Sequence, residues 1–287
     1  MKKKDWFCLV LAALCLGVLL CYRTMASLRA DNTAPQIIME DRLLEISTLD
    51  PREALLQGVT AKDDRDGDVT DSLVVESVRL LDRDGTVTVT YAAFDSARNV
   101  SKKTREVRYS DYESPRFSLE QPLLFTQKSN ELLKLISAWD MVDGDISNRI
   151  RATALEEVTT GYNGTYHVRF QVTNSLGDTV DLVLPVEIYT AGANEAKLTL
   201  TEYLIYLKPG DQFNARNYLD ELTVGRDTFS LGVNLPKTMD LTVTGKVETG
   251  VPGVYEIDYE LTYCPDSNRT DLKYTAYSKL IVVVVEG

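Results

Sequence analysis

Apolar and polar positions alternate strictly in three segments of this chain. Each segment begins two residues after a glycine, and its apolar positions are Val87, Val89 and Tyr91 in the first, Tyr166, Val168, Phe170 and Val172 in the second, and Tyr255, Ile257, Tyr259 and Leu261 in the third. Successive side chains of a strand point to opposite faces of a sheet, so each segment predicts a strand with one buried face. A final apolar run at residues 280–285 predicts a closing strand that is buried on both faces.

An acidic turn precedes the first two of these strands. Its residues are Asp66-Gly67-Asp68-Val69 and, 77 residues later, Asp143-Gly144-Asp145-Ile146. The third strand has no such turn, and residues 226–237 stand roughly in its place. A repeat of this length is typical of a small all-β domain used in tandem.

The repeat and the length of 287 residues predict an all-β chain of three tandem β-sandwiches. We expect the three domains at residues 35–111, 112–190 and 197–287, the third being divergent. Residues 27–34 are expected to form a short polar stalk, and the small residues at 190–194 to form a linker.

The N-terminal segment predicts a helix that enters or crosses a membrane. Three lysines at positions 2–4 precede 17 uncharged residues, from Trp6 to Tyr22. A basic head followed by an apolar run is typical of an N-terminal transmembrane anchor or of a signal peptide. The run lies at the lower limit of about 17–25 residues for a transmembrane span. We expect residues 1–26 to anchor the chain in the cytoplasmic membrane with the remainder outside, the alternative being secretion after cleavage behind Ala26.

Charge and cysteine content are those of an exported region without disulfides. Residues 31–287 carry 26 basic and 42 acidic side chains, a formal charge of −16, which argues against nucleic acid as a partner. Three of the four cysteines lie in the apolar segment, and Cys264 is the only other one. The predicted domains must therefore depend on their hydrophobic cores, and Cys264 is expected to be a half-buried thiol.

Several motifs of the first two domains resemble the bacterial surface Ig-like domain, a family with relatives in cell-surface proteins and in a pesticidal crystal protein. The matching residues are Gly58-Val-Thr-Ala61, Asp64-Arg-Asp-Gly-Asp-Val-Thr70, Gly85, Asp95 and Asn99 in the first domain, and Asp143-Gly-Asp-Ile-Ser147 and Gly164-Thr-Tyr166 in the second. The resemblance covers most of residues 35–190 and implies an Ig-like fold. It leaves function open, because such domains serve as spacers, stalks and binding modules alike.

The acidic turns offer candidate ligands for calcium, which prefers carboxylate oxygens. These candidates are Asp64, Asp66, Asp68, Asp143 and Asp145. The first turn departs from the EF-hand pattern, because Val75 stands where that loop has its bidentate glutamate. The alternative is a structural turn, in which aspartates accept backbone hydrogen bonds and glycine supplies a permissive backbone.

The sequence contains little material for catalysis. His167 is the only histidine, and alternation places it on the outward face of its strand. Ser-His-Asp and Cys-His catalysis and zinc sites are therefore not expected, and we predict a protein that is not an enzyme and needs no cofactor. The expected function is a membrane-anchored surface protein whose modules form a stalk or bind a surface protein. The alternative is an adhesin-like module that binds a wall polysaccharide or a host surface.

Overall fold

Strands account for 50% of the residues and helices for 14%, so the expected all-β character is confirmed. The structure, a computed structural model, describes residues 3–29, 31–40, 42–126, 132–156, 163–190, 196–266 and 272–286. Most of the expected linker at 190–194 lies outside these residues. The chain divides into two compact units, Met1–Tyr112 and Glu113–Gly287. The domain boundaries expected from the sequence stay predictions.

The N-terminal segment forms one helix, α1 (Lys3–Arg29), of 27 residues. The apolar side chains described along it are exposed, as for Leu14 (62%) and Val18 (65%). Within the described part of the chain, however, no helix has the combination of length and apolarity that spanning a membrane requires. The transmembrane anchor expected from the sequence is therefore not supported.

The first unit contains two sheets. Its strands are β1 (Gln36–Met39), β2 (Leu44–Ile46), β3 (Val59–Asp63), β4 (Gly67–Asp68), β5 (Val74–Leu80), β6 (Thr86–Phe94) and β7 (Val100–Tyr109). One sheet has the order β1-β3-β4 and the other β2-β7-β6-β5. All neighbours are antiparallel except β2 and β7. The first two strands of the unit therefore belong to different sheets, β1 to one and β2 to the other.

The alternation in β6 produces the core of this unit. Val87, Val89 and Tyr91 are completely buried, which confirms the face predicted from the sequence. The Tyr91 hydroxyl donates a 2.7 Å hydrogen bond to the carbonyl of Leu55, in a short 3-10 helix at Arg52–Leu56. A buried tyrosine needs a partner for its hydroxyl, so this bond attaches the connection between the sheets to the core.

The second unit begins with a sandwich of the same connectivity. Its strands are β8 (Arg116–Leu119), β9 (Leu124–Thr126), β10 (Ile136–Asp140), β11 (Gly144–Asp145), β12 (Arg151–Ala154), β13 (Gly164–Thr173) and β14 (Thr179–Tyr189). The sheet orders are β8-β10-β11 and β9-β14-β13-β12. Val168, Phe170 and Val172 of β13 are buried and His167 is exposed, as predicted. Pro185 pairs with His167 in β14, where β9 does not yet pair, so its missing amide hydrogen interrupts no bond to that strand.

A third sandwich completes the second unit. Its strands are β15 (Lys197–Leu200), β16 (Leu204–Leu207), β17 (Leu219–Val224), β18 (Asp227–Ser230), β19 (Met239–Thr244), β20 (Gly253–Tyr263) and β21 (Tyr274–Val284). The sheet orders are β15-β17-β18 and β16-β21-β20-β19. The hairpin of β17 and β18 stands where the first two sandwiches have their acidic turns. Cys264, directly after β20, is half-buried as expected.

The second and third sandwiches are joined by a continuous core. One cluster of buried apolar side chains extends from Phe117 in β8 to Val282 in β21. At the junction the Tyr206 hydroxyl accepts a 2.9 Å hydrogen bond from the Phe117 amide, and the Arg116 guanidinium lies 5.2 Å from the Tyr206 ring centroid. Burial raises the pKa of Tyr206 to about 12. The phenol therefore stays neutral at physiological pH, and its oxygen accepts the hydrogen bond from the amide.

Candidate functional site

The two acidic turns are β-hairpins that carry matching hydrogen bonds. The Asp66 carboxylate accepts from the amide (2.7 Å) and hydroxyl (3.0 Å) of Ser96. The Asp143 carboxylate accepts from the amide and hydroxyl of Ser175, both at 2.6 Å. Each aspartate thereby connects its hairpin to a serine that follows a strand of the other sheet. Ser96 lies two residues after the end of β6, and Ser175 lies two residues after the end of β13. The turns close one end of their sandwiches.

The second aspartate of each turn bonds within the turn itself. Asp68 accepts from the Thr70 amide at 3.0 Å, and Asp145 accepts from the amide of Ser147 at 2.9 Å. Hydrogen bonds from Thr70 lower the pKa of Asp68, and those from Ser147 lower the pKa of Asp145. Both carboxylates are therefore ionised acceptors at neutral pH.

Asp143 and Asp64 complete the set of five candidate calcium ligands. Burial alone would raise the pKa of Asp143, but hydrogen bonds from Ser175 and Arg149 outweigh it and hold that pKa below its usual value. Asp64 is exposed. Four of the five carboxylates thus accept bonds from the chain, and calcium binding by this set stays a prediction.

A different group of carboxylates converges beside the first turn. Asp31, Asp63 and Asp95 each offer an oxygen atom, and these three atoms lie within 4.8 Å of one another. In the residues that the structure describes, this is the one such group of three or more potential metal ligands. None of the five candidates from the sequence belongs to it. Sequence reasoning placed Asp31 in the stalk and treated Asp95 only as part of the repeat.

The second unit contains a cleft of about 490 Å³ where the second and third sandwiches meet. Its wall combines aromatic rings with carboxylates and one buried cation, and includes Tyr189, Tyr277, Glu187, Asp258, Glu260 and Lys279. Tyr277 is 53% exposed, so its ring is available to a ligand. Clefts of this size with a few polar groups are common sites for small ligands.

Lys279 supplies the fixed charge of this cleft. Its side chain is 8% exposed, and Nζ lies 2.7 Å from Glu256, 3.1 Å from Asp258 and 3.8 Å from Glu187. Burial would lower the pKa of Lys279, but the hydrogen bonds and charges of Glu256 and Asp258 raise it above its usual value. The ammonium group therefore remains charged and balances part of the acidic wall.

His167 lies apart from the cleft wall and the carboxylate group. Its Nδ1 is 2.9 Å from Glu156 Oε1, and its backbone amide donates to Glu156 Oε2 at 2.7 Å. Both side chains are nearly half exposed. A solvated pair of this kind on an outward strand face has the geometry of a cross-strand surface contact.

No family model matches this sequence. The chain is 29% identical over 131 residues to an uncharacterized 81.3 kDa protein of Acholeplasma phage L2, a match that covers 46% of this chain and 16% of that protein. It is 27% identical over 128 residues to the pesticidal crystal protein Cry22Aa of Bacillus thuringiensis, covering 44% of this chain and 16% of that protein. The chain thus spans about a sixth of the length of these curated relatives.

The solved structures that are similar to this chain match it with low TM-scores. The CBM51-2 and INT domains of Clostridium perfringens ZmpB, solved in complex with GlcNAc, are 16% identical with a TM-score of 0.22, over 57% of this chain and 31% of that chain. The human mucin-like protocadherin EC1-2 is 9% identical with a TM-score of 0.21, over 60% of this chain and 99% of that chain. Scores this low assign neither a ligand nor a partner. The resemblance expected from the sequence is confirmed as a distant similarity to a pesticidal crystal protein over less than half of the chain.

Proposed function

We propose that this protein is a non-enzymatic bacterial surface protein whose tandem sandwiches act as a stalk or a protein-interaction module. The observation that carries the proposal is the junction between the second and third sandwiches. A stalk must hold successive modules in a fixed relation, because a flexible connection would not transmit position or force. The buried contacts of Tyr206 and Lys279 support such a fixed relation.

Each contact at the junction restricts movement in a different way. The hydrogen bond from the Phe117 amide to Tyr206 fixes β8 of the second sandwich against β16 of the third. Lys279 of the third sandwich lies 3.8 Å from Glu187 of the second. Separating the sandwiches would break both contacts and would expose to water the apolar side chains of the core cluster that the two sandwiches share, which is costly.

The stalk proposal is tested by measuring the distance between spin labels on the two sandwiches. In a full chain whose native cysteines are replaced by serine, Arg169→Cys and Asp240→Cys place labels on exposed strand positions. We expect a narrow distance distribution, which Tyr206→Ala broadens. Trp139→Ala, a change of an exposed aromatic residue that is absent from the wall of the cleft between the sandwiches, is the control and should leave the distribution narrow. A broad distribution in the otherwise unchanged chain would contradict the proposal.

A second candidate function is binding of a polysaccharide in the cleft. The observation that favours it is the exposed ring of Tyr277 beside the carboxylates of Asp258 and Glu260. Sugar rings present apolar faces that stack on aromatic side chains, and hydroxyl groups that donate to carboxylates.

A glycan array probed with the full chain distinguishes the two functions. If the cleft binds sugar, a retained glycan should be lost with Tyr277→Ala. Trp139→Ala is the control, because Trp139 is equally exposed (56%) but is absent from the cleft wall. Retention that survives Tyr277→Ala would reject the cleft as the site, and no retained glycan would leave the stalk or protein-interaction function.

We also place the sandwiches outside the cytoplasmic membrane, with the N-terminal segment as the export signal. The basic residues and apolar run of this segment support that location. Protease treatment of intact cells that express the chain with a C-terminal tag should remove the tag. Full protection of the tag, with cleavage only after lysis, would contradict an external location.

A further inference from the structure

Three aspartates from distant parts of the chain meet at one end of the first sandwich. Asp63 is the last residue of β3, Asp95 directly follows β6, and Asp31 lies in the segment that leads to β1. One oxygen of each lies within 4.8 Å of the other two. Oxygens that share one Ca²⁺ at about 2.3–2.6 Å are separated by at most about 5 Å, so the spacing fits a single ion.

The hydrogen bonds of these carboxylates leave one buried oxygen without a partner. Asp63 Oδ1 accepts from the amides of Arg65 and Asp66, both at 2.9 Å. Asp63 Oδ2 is buried and has no hydrogen-bond partner, and the residue as a whole is 8% exposed. The Asp95 carboxylate accepts from the amide (2.7 Å) and the side chain (2.6 Å) of Asn99. A buried carboxylate oxygen without a hydrogen-bond partner, in a residue that belongs to a group of three converging carboxylates, favours a compensating cation.

The second sandwich has the same arrangement, but an asparagine replaces one of the aspartates, and no cation is needed there. Asp140 corresponds to Asp63, and its Oδ1 accepts from two turn amides at 3.0 and 2.9 Å. Asn174 corresponds to Asp95, and its Nδ2 donates to Asp140 Oδ2 at 3.0 Å. The amide thus satisfies the oxygen that is unpartnered in the first sandwich.

The third aspartate, Asp31, has a counterpart in the repeat, Asp111, whose partners are different. Asp31 precedes Pro35 by four residues, as Asp111 precedes Pro115. Asp111 accepts hydrogen bonds from the Ser47 hydroxyl (2.6 Å) and the Thr48 amide (2.7 Å). Asp31, by contrast, joins the carboxylate group with Asp63 and Asp95.

We propose that Asp31, Asp63 and Asp95 bind one Ca²⁺ ion. Hard cations of this kind take several carboxylate and carbonyl oxygens in a flexible geometry, and water completes the shell. The ion offsets two of the three negative charges of the group and ties the segment before β1 to the ends of β3 and β6. The site is distinct from the acidic turn and independent of the proposed function.

One cation of the chain competes for this group. Arg65 Nε lies 3.7 Å from Asp31 Oδ2, and the arginine side chain is 47% exposed. An exposed arginine at this distance neutralises the group only in part. With three protein carboxylates and this competitor, we expect a dissociation constant on the order of 10⁻⁴–10⁻³ M, as in extracellular calcium modules.

Calorimetric titration of the chelator-treated full chain with CaCl₂ tests the proposal. We expect one site per chain and a rise of the melting temperature with calcium concentration, and a smaller response to MgCl₂, which demands stricter octahedral geometry. No heat and no melting shift at millimolar calcium would overturn the proposal. An equal response to magnesium would overturn the assignment of calcium.

The variant Asp95→Asn reproduces the arrangement of the second sandwich. It should abolish the calcium response, because it removes a charged ligand and supplies an amide that can donate to Asp63 Oδ2. Asp31→Asn should weaken binding by about tenfold or more, since it removes a charged ligand at the edge of the group. Asp145→Asn, in the second turn, is the control and should keep the wild-type response. An unchanged response in Asp95→Asn would refute the site.

Discussion

Asn174 Nδ2 donates a 3.0 Å hydrogen bond to Asp140 Oδ2, and both residues are buried, at 4% and 1% exposure. This bond closes the end of the second sandwich. The equivalent pair in the first sandwich consists of two carboxylates, Asp95 and Asp63. A difference of one side-chain group therefore separates a self-sufficient sandwich end from one that needs an ion.

The variant Asn174→Asp should destabilise the second unit by about 1–3 kcal/mol or more, because it replaces a buried donor by a second buried carboxylate. Urea unfolding of the full chain measures the loss. Asn148→Asp, an exposed position in the same sandwich, is the matched control and should change stability little. Equal losses in the two variants would show that the hydrogen bond to Asp140 is unimportant.

Substitution of two glycines of the third sandwich distinguishes the cost of a steric clash from the cost of backbone strain. Gly245 has φ +106°, and a Cβ there would lie 2.2 Å from the carbonyl oxygen of Glu256. Gly210 has φ +89°, but nothing lies within 4 Å of its Cβ position. Gly210→Ala should cost about 1–2 kcal/mol from strain alone, and Gly245→Ala distinctly more. Thermal melts compare the two, and similar melting temperatures would contradict a close approach at Gly245.

Lys279 should be far more important for stability than an exposed lysine. Lys279→Ala removes charge-assisted hydrogen bonds to Glu256 and Asp258 and the packing of the buried lysine stem, and we expect a cost of about 1.5–3 kcal/mol. Lys246→Ala removes an exposed pair with Glu248 and should cost about 0–1 kcal/mol. Chemical unfolding of both variants tests the difference, and a small effect of Lys279→Ala would show that the ammonium is dispensable.

Acid should destabilise the second unit through Asp143. Its pKa lies below the usual value of 3.8 in the folded state, so its ionised form stabilises the fold above that value. This contribution is fully present above the unfolded pKa and is lost as the pH falls through the lower, folded pKa. Urea midpoints measured from pH 6 to pH 2 should fall in this window, and Asp143→Asn should reduce the slope. A slope unchanged in that variant would assign the acid sensitivity to other carboxylates.

Local pattern was sufficient to predict which side chains enter the cores. The alternation at residues 87–91 and 255–261 places Val89, Tyr91, Tyr259 and Leu261 inside, and all four are buried. It also places His167 outside. Strand geometry forces neighbouring side chains to opposite faces, so a two-residue period is enough to assign a face without knowledge of the partner strand.

The same pattern could not predict the groups that depend on contacts between distant segments. Asp31, Asp63 and Asp95 each look like ordinary loop aspartates, and only the pairing of β1 with β3 and the packing of the two sheets bring them together. Lys279 pairs with Asp258 in an alternating polar pattern, yet it is buried because the second sandwich covers that part of β21. The sequence by itself determined the strands, their inward faces and the repeat, since these depend on local periodicity. Tertiary structure alone decided which charges meet and which are buried, because that depends on how sheets and sandwiches pack against one another.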